Sequence, residues 1–282
     1  VPAGTAAGTT FLTVTTLRQT SNPVSLQMVV PLGDRLPAFE DASALLPPLA
    51  NRQLRLLRVA DLDRDLDVDV IAVSRDAELS LLLNDGFGGF TVAAARITLP
   101  DGRNHFFDLA LADLTSDGAP ELILGDTDTA GSYTQLLIFE NTGGGAFSLL
   151  HQTGVLSGPA SSGPTAFDLG DVDQDGDLDV VVAIAGDQPS IFRNDGEARF
   201  AHLPGTDALP QEQVMVPTDV ALADMDDDGD ADVLLAAGRA GLGASRDVQL
   251  LLNDGTGRFE DVTDSHLPSA GDGVDALAVG DL

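Results

Sequence analysis

Short apolar runs recur along this chain, and many of them abut a stretch in which aspartate takes every second position. Small apolar segments lead into these stretches at Leu57–Ala60, Leu109–Ala112, Val220–Ala223 and Ala276–Val279. The equivalent Ala166–Leu169 is interrupted by Asp168. A second apolar run follows each acidic stretch, at Val70–Val73, Leu122–Leu124, Val180–Ala183 and Val233–Leu235. A third reads Leu79–Leu83, Gln135–Phe139, Ser190–Arg193 and Val248–Leu252. It ends in Asn84-Asp85-Gly86, Asn141-Thr142-Gly143, Asn194-Asp195-Gly196 or Asn253-Asp254-Gly255, residues that tolerate positive φ and so signal a hairpin turn. A phenylalanine then opens a fourth run: Phe90, Phe147, Phe200 and Phe259.

The acidic stretches begin at 61, 113, 171, 224 and 281, with spacings of 52, 58, 53 and 57 residues. A period in this range marks a repeat architecture. Four short antiparallel strands per repeat make the blade of a β-propeller. The expected fold is all-β, a single propeller domain over residues 1–282 with five repeat units, of which residues 1–60 form a degenerate one. There, Thr10–Thr15 aligns with a second strand and Val24–Val30 with a third, and Phe39–Ser43 matches Phe259–Thr263. Val1–Gly8 fills the acidic slot without an acid, so no ion is expected in it. Val274–Gly280 is expected as a first strand that joins the N-terminal strands in one blade and closes a five-bladed ring. The alternative is a fragment of a larger propeller.

The acidic loops carry the clearest chemistry. Asp171, Asp173, Asp175, Asp177 and Asp179 alternate around Gly176, and Asp224, Asp226, Asp228, Asp230 and Asp232 do so around Gly229. Asp61, Asp63, Asp65, Asp67 and Asp69 keep every acid but place Leu66 at the glycine. Asp113, Thr115, Asp117, Ala119 and Glu121 form a weaker copy. Close carboxylate pairs repel by about 4 kcal/mol at an effective dielectric near 20. Hard oxygen ligands at alternate positions, with glycine at the sixth, suit Ca²⁺. Positions one, three, five and nine are expected to supply carboxylate or hydroxyl oxygens and position seven a backbone carbonyl, for three to four ions in all. An EF-hand needs glutamate at position twelve, where this chain has Ala72, Leu124, Val182 and Leu235.

The loops, the strand after each and the Asn-Asp-Gly and Phe pattern resemble the FG-GAP/VCBS repeat family, over essentially the whole chain. That resemblance implies an integrin-α-like calcium-bearing propeller, commonly of seven blades, with a secreted or cell-surface role in adhesion, recognition or assembly. It does not imply catalysis.

Composition fits that setting. The formal charge is −31, and lysine is absent, all 14 basic residues being arginine. Set against all 14 arginines, the 26 acids outside the loops leave about −12. Such charge argues against nucleic acid and anionic membranes as partners. With no cysteine, disulfides cannot staple the fold, and metal loops are expected to take that role. No export signal or 18-residue apolar span is read, so direct membrane insertion is not expected. His105, His151, His202 and His266 are scattered without zinc spacing. No nucleophile elbow or phosphate loop occurs. The partner expected is an extracellular protein or polysaccharide; the alternative function is a lyase or glycosidase on the same scaffold. Two long segments, Gly125–Tyr133 and Gly238–Arg246, are where recognition could be grafted.

Overall fold

The computed structural model describes residues 9–14, 26–31, 53–93, 97–100, 105–127, 134–153, 164–185, 189–203, 217–237, 248–267, 274 and 276–279. Strands β1 (Thr9–Val14) and β2 (Leu26–Pro31) pair antiparallel by themselves. The remaining strands form four sheets, each a four-stranded antiparallel meander. Sheet one holds β3 (Leu54–Ala60), β4 (Asp69–Ser74), β5 (Leu79–Asn84) and β6 (Phe90–Ala93). Sheet two holds β7 (Phe106–Ala112), β8 (Glu121–Thr127), β9 (Thr134–Gly143) and β10 (Ala146–Gln152). Sheet three holds β11 (Pro164–Gly170), β12 (Asp179–Ile184), β13 (Ser190–Asn194) and β14 (Phe200–Leu203). Sheet four holds β15 (Pro217–Ala223), β16 (Asp232–Ala237), β17 (Val248–Asn253) and β18 (Phe259–Asp261), followed by the single helical turn α1 (Thr263–His266).

The hydrophobic pattern explains how the sheets stack. Along β12, Val180, Val182 and Ile184 pack against sheet two, while the alternating Val181 and Ala183 pack against sheet four. Such a strand is buried on both faces, which is why it reads as a continuous apolar run. Three cores result, one between each pair of consecutive sheets. Phe139 and Phe147 of sheet two fill the first, Phe192 and Phe200 of sheet three the second, and Phe259 of sheet four the third. The first strands β3, β7, β11 and β15 lie beside one another, so the sheets fan out from them in the manner of propeller blades. Each first strand carries a register shift near its start, at Leu54/Leu56, Phe106/Asp108, Pro164/Ala166 and Pro217/Asp219. Buried aspartates tie these strands across blades. Asp108 accepts a hydrogen bond from the Phe167 N–H at 3.1 Å, and Asp168 accepts one from Leu222 at 3.0 Å.

Four four-stranded sheets are present among the described residues, where five repeats were expected. The expected strand Val274–Gly280 is corrected. Residues 274 and 276–279 lie in no strand, since they form no backbone ladder with another described strand. The segment is held instead by Val274 N–H to Ala237 O, 2.9 Å, and by Leu277 N–H to Asp219 Oδ2, 2.8 Å. Strand β8 also runs on to Thr127, three residues past the Leu124 end, because Gly125 to Thr127 pair with Leu136 to Thr134. Phe39–Ser43, Val1–Gly8 and the segment 238–246 lie outside the described residues. On the open flank of sheet one, Leu57 and Val59 are 50% and 55% exposed, facing away from sheet two.

Candidate metal centre

Each acidic loop joins a first strand to a second, and its turn is built by its own carboxylates. The first aspartate accepts from the backbone N–H groups of positions five and six. The distances are 3.1 and 3.0 Å at Asp61, 3.1 and 2.9 Å at Asp113, 3.2 and 3.0 Å at Asp171, and 3.1 and 3.0 Å at Asp224. Position six has positive φ throughout: +86° at Gly118, +94° at Gly176 and Gly229, and +78° at Leu66. Loop one therefore adopts the same turn without glycine, at the cost of a side chain in the left-handed region. Position five turns its carboxylate onto the position-seven N–H, as Asp65 does to Asp67 at 2.9 Å and Asp175 to Asp177 at 3.0 Å. Asp117 and Asp228 repeat this at 2.8 and 2.9 Å.

Position nine begins the second strand and is fully enclosed. Its carboxylate accepts from the position-two N–H, at 2.8 Å for Asp69, 2.7 Å for Glu121, 3.1 Å for Asp179 and 2.8 Å for Asp232. In three loops the other oxygen accepts from the asparagine N–H that ends the third strand, Asn84, Asn194 or Asn253. Burial pushes Asp179 up to about 7 and Glu121 up to about 7, and it raises Asp69 and Asp232 as well.

The structure draws positions one, three and nine together. Asp61, Asp63 and Asp69 each present an oxygen within 4.8 Å of the other two, as do Asp171, Asp173 and Asp179, and Asp224, Asp226 and Asp232. Positions five and seven stand outside these groups, and in loop two Thr115 replaces the middle carboxylate. The triads fit a hard cation on two grounds. First, Oδ1 of Asp63 and Oδ1 of Asp173 are buried acceptors with no hydrogen-bond partner, a costly state that a metal ion relieves. Second, burial and the neighbouring Asp69, Asp65 and Asp61 raise Asp63, the signature of charges packed without a counter-ion.

Position seven points elsewhere. A Cβ added at Gly196 would lie 2.7 Å from Asp177 Oδ2, and one at Gly255 2.8 Å from Asp230 Oδ2. The position-seven aspartates thus lie over the glycine of their own Asn-Asp-Gly turn. Sheet two has Ala119 at this position, and its Gly143 faces open space.

Sequence reasoning missed the ties between loops. The turn asparagine donates its side-chain amide to the position-two carbonyl of the preceding blade's loop: Asn141 to Leu62 at 3.1 Å, Asn194 to Leu114 at 3.4 Å and Asn253 to Val172 at 2.9 Å. Position four reaches the next loop, with Arg64 on Asp117 at 3.1 Å and Gln174 on Asp230. The recurrence of Asn 6 positions before the phenylalanine in all four repeats was the available signal.

A model of the FG-GAP-like repeat matches residues 61–124, 125–182, 171–235 and 224–282. No curated protein sequence matches the chain. Among solved structures, a chain from the crystal structure of BBS1N in complex with ARL6DN, soaked with lead, is similar at 15% identity and a TM-score of 0.44. The similarity covers 76% of this chain and spans 57% of that one.

Proposed function

Because the chain belongs to the FG-GAP-like repeat family, we propose that it works as a calcium-stabilised β-propeller module for adhesion, recognition or assembly outside the cell. One observation carries the calcium reading: the same aspartate triad recurs in three loops, with buried, unpaired oxygens at Asp63 and Asp173. Asp61, Asp63 and Asp69 would hold one ion, Asp171, Asp173 and Asp179 a second, and Asp224, Asp226 and Asp232 a third. Asp113, Thr115 and Glu121 would hold a fourth with fewer charges and hence more weakly. Bound calcium supplies two positive charges that offset the repulsion within each triad. The protein's own part is to fix the turn through position one and to fasten the loop to the third strand through position nine.

The ring is taken to gain at least one more blade on the flank where Leu57 and Val59 stand half exposed, as a five-repeat or larger propeller requires. Among the described residues no helix is long and apolar enough to cross a membrane, which is compatible with a secreted or surface-attached module. The partner is an extracellular protein or polysaccharide, and the module binds rather than catalyses. Calorimetric titration of chelator-stripped protein with CaCl₂ tests the reading: three or four ions and a large rise in Tm are expected. An absence of binding refutes it.

A further inference from the structure

We propose that Arg193 acts as a tethered cation within the third acidic loop, making it the weakest of the three aspartate triads for calcium although its sequence is the most regular. The inference rests on the reading that these loops hold calcium. Arg193 lies on β13, immediately before Asn194, and its Nη1 stands 2.8 Å from Asp173 Oδ2. Its Nη2 donates to Thr256 O of the next blade at 2.8 Å. Space is cleared for this arrangement: a Cβ at Gly257, whose φ is +77°, would sit 2.6 Å from Arg193 Nη2. The equivalent residues in the other repeats are Leu83, Glu140 and Leu252, so among the described residues only the third loop has a cation from this strand position.

Two consequences follow from the geometry. The guanidinium pins one oxygen of Asp173 and leaves Oδ1, buried and unpaired, as the oxygen a metal would meet. Arg193 also removes one unit of negative charge from the triad Asp171, Asp173 and Asp179, whereas Asp61, Asp63, Asp69 and Asp224, Asp226, Asp232 keep theirs. Calcium affinity in oxygen-ligand loops follows ligand charge, so the third loop fills last. In return, this loop stays ordered and joined to sheet four when metal is scarce. Arg193 is therefore a positioning residue acting through Asp173.

The test resolves the loops individually. Gly176 and Gly229 donate their N–H groups to Asp171 and Asp224, both at 3.0 Å, so their amide NMR signals report on loops three and four during a CaCl₂ titration. In the wild type, Gly229 is expected to respond at lower calcium than Gly176. Arg193→Leu, which installs the residue found at positions 83 and 252, should tighten the Gly176 response about tenfold and leave Gly229 nearly unchanged. It should also lower Tm in chelator. Arg193→Gln keeps an amide donor for Thr256 and should tighten the site likewise, giving a readout if the leucine variant folds poorly. A Gly176 response that precedes Gly229 in the wild type, or is unmoved in both variants, overturns the inference while leaving the calcium reading intact. Silence at both glycines overturns the calcium reading and the inference with it.

Discussion

Replacing Asn253 with alanine isolates the tie between consecutive blades. Its Nδ2 donates to Val172 O at 2.9 Å and to Ala231 O at 3.1 Å, and its Oδ1 accepts from Gly257 N–H at 3.1 Å. All three bonds belong to a buried residue, so water does not replace them. At about 1 kcal/mol net per bond, the loss is about 3 kcal/mol. The backbone N–H of residue 253 still donates to Asp232, so the loop's own closure survives the change. Asn84 supplies the internal control. Its amide donates to Val68 O of its own sheet at 3.1 Å and its Oδ1 accepts from Gly86, and it is only half-buried. Asn84→Ala should therefore cost about 1 kcal/mol. Urea unfolding in chelator, read by circular dichroism, gives both numbers. In thermal melts Asn253→Ala should lower Tm by roughly 6–12 °C, given about 2–4 °C per kcal/mol for a chain of this size. Equal losses at the two positions, or a loss below about 1 kcal/mol at Asn253, would refute the claim that the side-chain amide joins the blades.

Other outcomes are expected from the same structure. Stripped of metal, the protein should lose stability as pH rises from about 4 to 7. Asp179 and Glu121 titrate near 7 when folded and near their ordinary values of 3.8 and 4.5 when unfolded, so the folded state holds more protons across that window. For Asp179 alone the displacement is worth about 4 kcal/mol. Melts in chelator at several pH values check the sign, and saturating calcium should reverse it, since binding competes with protons. Leu66→Gly should stabilise by about 1 kcal/mol, measured by urea unfolding, because it removes a side chain from φ +78°. Gly196→Ala should cost about 2 kcal/mol, since φ is +80° and Asp177 blocks the new methyl group. Gly143→Ala, at φ +90° but in open space, should cost about 1 kcal/mol. Adding Asp177→Ala should restore part of the Gly196→Ala loss and leave Gly143→Ala unaffected.

Local chemistry made much of this fold legible. The run Val180–Ala183 became β12 because an apolar, β-branched segment between turn residues has few other uses, and Ser190–Arg193 gained only Asn194. The acidic loops lay where alternate aspartates placed them. Which oxygens converge was not legible, because alternation alone cannot tell a carboxylate that turns back onto its own backbone from one left unpaired. Asp175 does the first, whereas Asp173 pairs Oδ2 with Arg193 and leaves Oδ1 without a partner. Asn253 read only as a turn residue, since its amide works on Val172, 81 positions away, and only the packing of two sheets shows it. Arg193 escaped for the same reason: its partners Asp173 and Thr256 lie in other segments. Val274–Gly280 has the composition of a first strand, but composition does not supply the backbone partners, and its described residues form no ladder.

The asparagine ties all point one way. Each repeat pins the loop of the repeat before it, as a roof tile is held by the one laid over it. Leu62, Leu114 and Val172, the residues whose carbonyls are pinned, are buried, whereas Met225 at the same position in loop four is 39% exposed. No asparagine among the described residues reaches its carbonyl. The array is therefore vectorial. Removing a repeat from the C-terminal side should unfasten the loop it leaves behind, while removing one from the N-terminal side should leave the latches of the remaining loops in place. Growth or loss of repeats in such a chain is not symmetric, and a new blade joins most easily where it can supply the asparagine rather than wait for one.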